Sequence, residues 1–126
     1  MKLKEKIKLT RYLKSESVQR QLYDFAALLR DKERSLLKEF ESSVDLNRRQ
    51  FHHPHISHIE ETAIKKPETI EEYNFVMNEI KLYNESRKEE GFVGEFELLG
   101  LDNLKNKITK DCLPILREEK LNKLFN

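Results

Sequence analysis

The chain has 126 residues, 37% of them charged, and its formal net charge at pH 7 is +1. This length fits one domain with a modest core, and the near-zero net charge argues against binding nucleic acid or a membrane through an overall electrostatic field. The single cysteine excludes an internal disulfide framework and fits a reducing compartment.

Few glycines and prolines, no tryptophan and many charged side chains are typical of a helix-rich protein. They predict a single, mainly α domain over residues 1–126. We expect a bundle of about five helices, and a small two-stranded β ribbon is an optional further element. No apolar run approaches the ~18 residues of a membrane span, and the N-terminus lacks the apolar middle of a signal peptide. We therefore expect a cytoplasmic protein with no membrane partner.

Residues 1–14 carry six basic side chains against one acidic one, Glu5. Lysines alternate with other residues over residues 2–9, which is typical of a half-exposed strand. We expect a short strand or extended arm here, with a short helix as the alternative. Such a basic segment suits phosphate or an acidic partner, whereas the plainer interpretation is a solvated edge whose lysines discourage aggregation.

Apolar residues recur at steps of three and four over residues 17–44, which predicts one uninterrupted helix. Its 28 residues would span about 42 Å, whereas a compact chain of this length is roughly 36 Å across. Either the helix breaks near Lys32 and Glu33, or its end packs on another chain. We expect an unbroken helix and hence a homo-oligomer such as a dimer, and the alternative is that the stripe is plain core. The stripe consists of Val18, Leu22, Phe25, Leu29, Leu36 and Phe40.

Two further helices are predicted in the middle of the chain. Pro54 suits the first turn of a short helix over 54–66. Thr69 and Glu72 have the spacing of a capping box, which predicts a helix over 70–90.

The last third of the chain is predicted to contain one strand and two helices. Residues 92–99 are β-leaning and lie between glycines, so they can pair with the N-terminal strand to form the ribbon. Asp102 and Pro114 suit the starts of two C-terminal helices over 102–125. The second of these is expected to bury Leu113, Leu116, Leu121 and Leu124.

All four histidines lie within seven positions, from His52 to His58. On a helix, His55, His58 and Glu61 would follow one another at steps of three, and such side chains can bind Zn, Mn or Fe. The spacing matches no named metal signature. No cofactor is therefore predicted, a divalent metal is the alternative, and a pH-sensitive surface is another, since histidine titrates near ~6.5.

Arg48 and His53 stand as an R-x4-H pair. The pair resembles the arginine–histidine motif of the HEPN family of helical ribonucleases, and the resemblance covers six residues. It implies a metal-independent ribonuclease in which Arg48 stabilises charge on the phosphate and His53 serves in acid–base chemistry, often in a dimer cleft. The family prefers an uncharged polar or acidic residue where this chain has Arg49.

Three hypotheses of function follow from these patterns. The leading one is a small intracellular interaction or regulatory protein, without catalytic activity, that presents a helical or His/Arg-rich surface to a protein partner. A phage or mobile-element protein would fit this description, and it would then act in the host cytoplasm. The main rival is an enzyme centred on Arg48, His53, His55 and His58. The second rival is a nucleic-acid-binding protein in which basic groups lie beside rings that stack on bases. The candidate binding residues are Lys4, Lys6, Lys8, Arg11, Arg48, Arg49, Phe51, His52 and His53.

Overall fold

The computed structural model describes residues 1–48, 64–89, 91 and 94–125. These residues form five helices and no strand, which confirms the predicted mainly α fold. None of the described helices is both long and apolar enough to cross a membrane. The helices are α1 (Leu3–Gln19), α2 (Tyr23–Arg48), α3 (Ile70–Glu89), α4 (Glu95–Asp111) and α5 (Leu113–Phe125).

Helix α1 is the central helix of the bundle. The five consecutive residues from Leu9 to Leu13 are all buried. An α-helix turns about 100° per residue, so five consecutive residues cover its whole circumference. This part of α1 is therefore surrounded by other parts of the chain. Two buried hydroxyls of α1 bond to the backbone of the preceding turn: Thr10 donates to the Lys6 carbonyl at 2.7 Å, and Ser17 to the Leu13 carbonyl at 2.7 Å.

The predicted β ribbon is not present in the described residues. Its first half lies in α1, and the described part of its second half, 94–99, leads into and forms the first turn of α4. The alternation over residues 2–9 was misleading because hydrophobic period reports secondary structure only when one face is buried and the other is wet. In α1 the residues from Leu9 to Leu13 are buried around the whole helix, and within 2–9 only Ile7 and Leu9 are fully buried, so no single buried stripe marks the helix. Asp102, expected to start a helix, lies within α4.

Four of the helices run alternately up and down, each antiparallel to the next, and α4 returns beside α1. The directions follow from residue pairs that join neighbouring helices near both ends. This is the arrangement of an antiparallel four-helix bundle, with α5 attached beside α3 and α4. The pairs are Lys4–Phe40 and Arg11–Glu33 (α1–α2), Asp24–Arg87 and Lys32–Glu79 (α2–α3), Tyr73–Thr109 and Tyr83–Glu97 (α3–α4), and Glu16–Lys107 (α1–α4).

The long helix predicted over 17–44 is interrupted at its start. The Leu22 amide donates to the Ser17 carbonyl at 2.9 Å and the Gln21 amide to the Val18 carbonyl at 3.0 Å. With Gln21 at a φ of 60°, these two bonds form the Schellman motif that ends a helix. No glycine or proline marks this turn in the sequence. Helix α2 then continues without a break past Lys32 and Glu33, where an interruption was considered.

The core of the bundle covers the apolar stripe within one chain. Phe25 and Leu29 have no exposed surface, and the Phe25 ring stacks on Tyr83 with centroids 4.6 Å apart. Val18, by contrast, belongs to α1 and is 48% exposed. The stripe is therefore covered within one chain from Leu22 to Leu29, whereas Leu36 and Phe40 are half-buried, and the homo-oligomer stays a prediction. The core cluster consists of Leu9, Tyr12, Leu13, Leu22, Phe25, Leu29, Val76, Ile80, Tyr83, Leu101, Leu104, Ile108 and Cys112.

Candidate interaction surface

The basic residues predicted for binding at the N-terminus do not form one patch. Lys4 is exposed, whereas Lys6 and Lys8 are half-buried. Because two residues of a helix turn about 200°, Lys6 lies on the other side of α1 from Lys4 and Lys8. The Lys4 ammonium lies 5.7 Å from the centroid of the Phe40 ring, a distance at which the two attract each other.

Arg11, the fourth of these residues, is used inside the fold. Its Nε donates to Glu33 Oε1 at 2.7 Å, and Lys14 donates to Glu33 Oε2 at 2.5 Å. Burial acts to raise the pKa of Glu33, but the hydrogen bonds from Lys14 and Arg11 outweigh it and lower that pKa. Glu33 therefore stays ionised at neutral pH, and this ion pair joins α1 to α2.

The same pairing accounts for the other buried charges of the described residues. Glu16 accepts from Lys107 at 2.6 Å and from Arg20 at 2.7 Å, and Glu72 pairs with Lys65 at 2.8 Å. Burial acts against the charged form of both carboxyls, yet these hydrogen bonds hold their pKa values below the ordinary one. Glu79 pairs with Lys32. These carboxylates hold the helices together and are not presented to a partner.

The remaining sequence candidates lie at or beyond the end of α2. Arg48 is the last residue of this helix. Arg49, Phe51, His52, His53, His55, His58 and Glu61 lie outside the described residues, as does the predicted helix over 54–66 except residues 64–66, which are not helical. The ribonuclease pair and the metal site therefore stay predictions. Within the described ranges, no group of three His, Cys, Asp or Glu side chains is placed to hold a metal ion.

Helix α5 presents an apolar face that the bundle does not cover. Leu113, Leu121 and Leu124 lie within about 80° of one another around the helix axis at 3.6 residues per turn. They are 39%, 53% and 72% exposed. We call these three residues the α5 leucine face. The prediction that the last helix buries them was wrong.

The opposite side of α5 attaches the helix to the bundle. Ile115, about 160° around the helix axis from the centre of that face, packs against the core cluster. The connection to α4 is the single residue Cys112, which is 1% exposed. Its amide donates to the Ile108 carbonyl at 3.0 Å, and its carbonyl accepts from the Leu116 amide at 3.1 Å. This short, hydrogen-bonded joint fixes which side of α5 faces outward. Burial also raises the pKa of the Cys112 thiol, so it is not an activated nucleophile.

A groove of about 410 Å³ adjoins the α5 leucine face. It lies between the start of α3 and the body of α5. Its apolar lining comes from Ile70 and Leu116, and its polar and charged lining consists of Asn74, Glu119, Lys120 and Lys123. The concave groove and the exposed leucines beside it together form one surface with a depression and apolar side chains.

A second groove of about 270 Å³ lies at the α1–α2 turn, beside Gly100 of α4. Its lining includes the side-chain amides of Gln19, Gln21 and Asn103. Leu99 is its only lining residue that is a large apolar side chain, and it is 60% exposed. We regard this groove as the weaker candidate, because protein-binding surfaces are usually centred on buried apolar anchors.

Comparisons with protein-family models, with curated proteins and with solved structures gave no match. The interaction surface is therefore interpreted from its own residues.

Proposed function

We propose that this protein is a helical interaction module that binds a protein partner through the α5 leucine face. The supporting observation is that three leucines on one side of α5 are 39–72% exposed, while the same helix is anchored by Ile115 on its other side. Single exposed leucines are normal on protein surfaces, whereas several exposed leucines on one side of a helix favour a binding site, here with the exposed Arg117 between Leu113 and Leu121. The single buried cysteine fits action in the reducing cytoplasm.

The size of the face suits a transient partner. Fully burying one leucine contributes about 1.5–3 kcal/mol, so three half-exposed leucines contribute about 2–5 kcal/mol. Association itself costs at least ~4 kcal/mol of lost translational and rotational freedom. The leucines alone therefore support only weak binding, and polar contacts at the border of the face must supply the rest.

A photo-crosslinking amino acid placed at Leu121 or Leu124 tests this proposal in the cells that produce the protein. The matched control is Leu82 of α3, which is 52% exposed against 53% for Leu121. We expect discrete cross-linked products from positions 121 and 124 and none from position 82. Absence of products from both α5 positions, or equal products from position 82, would contradict the proposal.

A second candidate is cleavage or binding of RNA through Arg48 and His53. What favours it is that α2 extends past its neighbour: Lys4 lies over Phe40, so the last seven residues of α2 continue about 10 Å beyond the start of α1. This brings the Arg48 backbone to one end of the bundle. An RNA-cleavage assay that loses its signal in His53→Ala would support this candidate, and an unchanged signal would reject it.

A further inference from the structure

Three basic side chains lie within or beside the α5 leucine face, and Arg117 is the one within it. Arg117 lies one turn from both Leu113 and Leu121, and Lys120 and Lys123 line the adjoining groove. All three are exposed, and none forms an ion pair with another of the described residues. Other exposed basic residues of the bundle, such as Arg34 and Lys38, are also unpaired within the described part of the chain; what distinguishes Lys120 and Lys123 is that they line a groove.

We infer that this surface receives an acidic amphipathic helix of a protein partner, an inference that rests on the proposed function. An amphipathic helix placed in a groove inserts apolar anchors at steps of three and four. Ile70, Leu116 and the leucine face supply the apolar contacts for such anchors. Carboxylates on the borders of the partner helix then meet Lys120 and Lys123. The one acidic residue of the groove lining, Glu119, leaves the lining with a net positive charge.

The dimensions of the surface agree with a helix as the occupant. Helix α5 has 13 residues and therefore is about 20 Å long. A partner helix of the same length carries three or four apolar anchors on one side. The groove is also concave, with walls from α3 and α5, which fits a rod better than the flat surface of a lipid bilayer.

A second copy of this chain is a poorer occupant than an acidic helix. In an antiparallel pairing of two α5 helices, the register that sets Leu113 against Leu124 of the other copy also sets Arg117 against Lys120. The register that sets Leu113 against Leu121 sets Arg117 against its own copy. Both of these registers bring like charges together, and like-charge contacts oppose association.

Two synthetic peptides test the inference with the full-length protein. Both carry leucines at positions i, i+3, i+4 and i+7 of a helix, and one has glutamates at its border positions where the other has lysines. We expect the acidic peptide to bind at least tenfold more tightly in a fluorescence-anisotropy titration at low salt, with the preference reduced at high salt. The double variant Lys120→Glu with Lys123→Glu is expected to reverse the preference.

The control variant is Arg34→Glu with Lys38→Glu. These residues are also exposed, lie on α2, and form no ion pair with the described residues. It changes the total charge by the same amount and should leave the preference for the acidic peptide intact. Thermal unfolding followed by circular dichroism checks that both double variants are folded.

Four outcomes would overturn the inference. The first is equal binding of the two peptides, and the second is a preference for the acidic peptide that persists in the Lys120→Glu/Lys123→Glu variant. The third is binding to vesicles of phosphatidylcholine and phosphatidylserine (3:1) that Leu124→Glu abolishes. The fourth is a dimer, detected by sedimentation, that Leu121→Glu dissociates. If cross-linking from Leu121 captures a partner while the acidic peptide does not bind, the proposed function is supported and the acidic helix is rejected as the partner. If cross-linking gives no product either, the proposed function and the acidic partner are both rejected.

Discussion

The Arg11 guanidinium lies 2.7 Å from the Glu33 carboxylate, and both residues are buried. Arg11 comes from the segment that the sequence marks as a basic arm, and Glu33 interrupts the apolar stripe of α2. A buried arginine and a glutamate within an apolar stripe are each unexpected, but together they form an ion pair between α1 and its antiparallel neighbour α2.

Replacing Glu33 with glutamine should lower the free energy of unfolding by about 3 kcal/mol. The reason is that Arg11 and Lys14 would lose the carboxylate that they share, and breaking one side of a buried pair is costly. Urea denaturation measures the change. Glu39→Gln, an exposed site on the same helix, should change stability by less than about 0.5 kcal/mol. A loss in Glu33→Gln no larger than in this control would show that the pair does not stabilise the fold.

The stability of the protein should fall in acid. The pKa values of Glu16, Glu33 and Glu72 are lower in the folded state than the ordinary value of 4.5. Their contribution is therefore fully present above pH ~4.5 and is lost as pH falls through the lower folded-state values. Urea denaturation between pH 3 and pH 7 should show a plateau at the neutral end and a decline below it. The decline should be shallower in Glu33→Gln, and stability that rises on acidification would contradict the assignment.

Gln21→Gly should stabilise the protein by about 0.5–1 kcal/mol. Gln21 has a φ of 60°, a left-handed conformation that costs most side chains ~1 kcal/mol or more and glycine very little. Gln19→Gly, two residues earlier and still within α1, should instead destabilise by about 0.5–1 kcal/mol. Thermal unfolding of the two variants checks the opposite signs, and destabilisation by Gln21→Gly would reject this account of the turn.

Two tyrosine-to-phenylalanine changes should have opposite effects. The Tyr12 hydroxyl is buried and has no hydrogen-bond partner among the described residues, so its removal should stabilise the fold by about 1 kcal/mol. The Tyr83 hydroxyl donates to Glu97, so Tyr83→Phe should cost about 1 kcal/mol. Denaturation midpoints of both variants measure the difference, and a loss of stability in Tyr12→Phe would reveal a partner for that hydroxyl.

The orientation of α5 can be tested by stability alone. Leu124→Asn should leave the free energy of unfolding within about 0.5 kcal/mol, since the side chain is 72% exposed. Ile115→Ala should lower it by about 1–2 kcal/mol, because this side chain packs against the core. If Leu124→Asn proves the more costly change in chemical denaturation, α5 is turned the other way and its leucine face is part of the core.

The sequence was sufficient to predict α3, because the signal for the start of this helix is local. Thr69 Oγ1 accepts from the Glu72 amide at 3.2 Å, and Glu72 Oε1 accepts from the Glu68 amide at 3.1 Å. The capping spacing predicted a helix over 70–90, and α3 occupies Ile70–Glu89. Such bonds join residues three or four positions apart, so tertiary packing is not needed to recognise them.

Where the outcome depends on packing, the sequence was misleading. Helix α1 shows no clear helical period because its middle, from Leu9 to Leu13, is buried on all sides, and the turn after Gln19 carries no glycine or proline. Helix α5 has apolar residues on two sides, so the sequence named Leu113, Leu121 and Leu124 but could not tell which side the bundle covers. For the candidate surface, the residues were therefore recognisable while their exposure was not.

The central position of α1 has a consequence for the order of events during translation. Its cover includes α4, which follows it by roughly 75 residues and so leaves the ribosome about 4–15 s later at the usual rate of synthesis. Until then the apolar and charged side chains of α1 have no complete set of neighbours. Complete packing around α1 therefore has to wait until the C-terminal third of the chain has been synthesised.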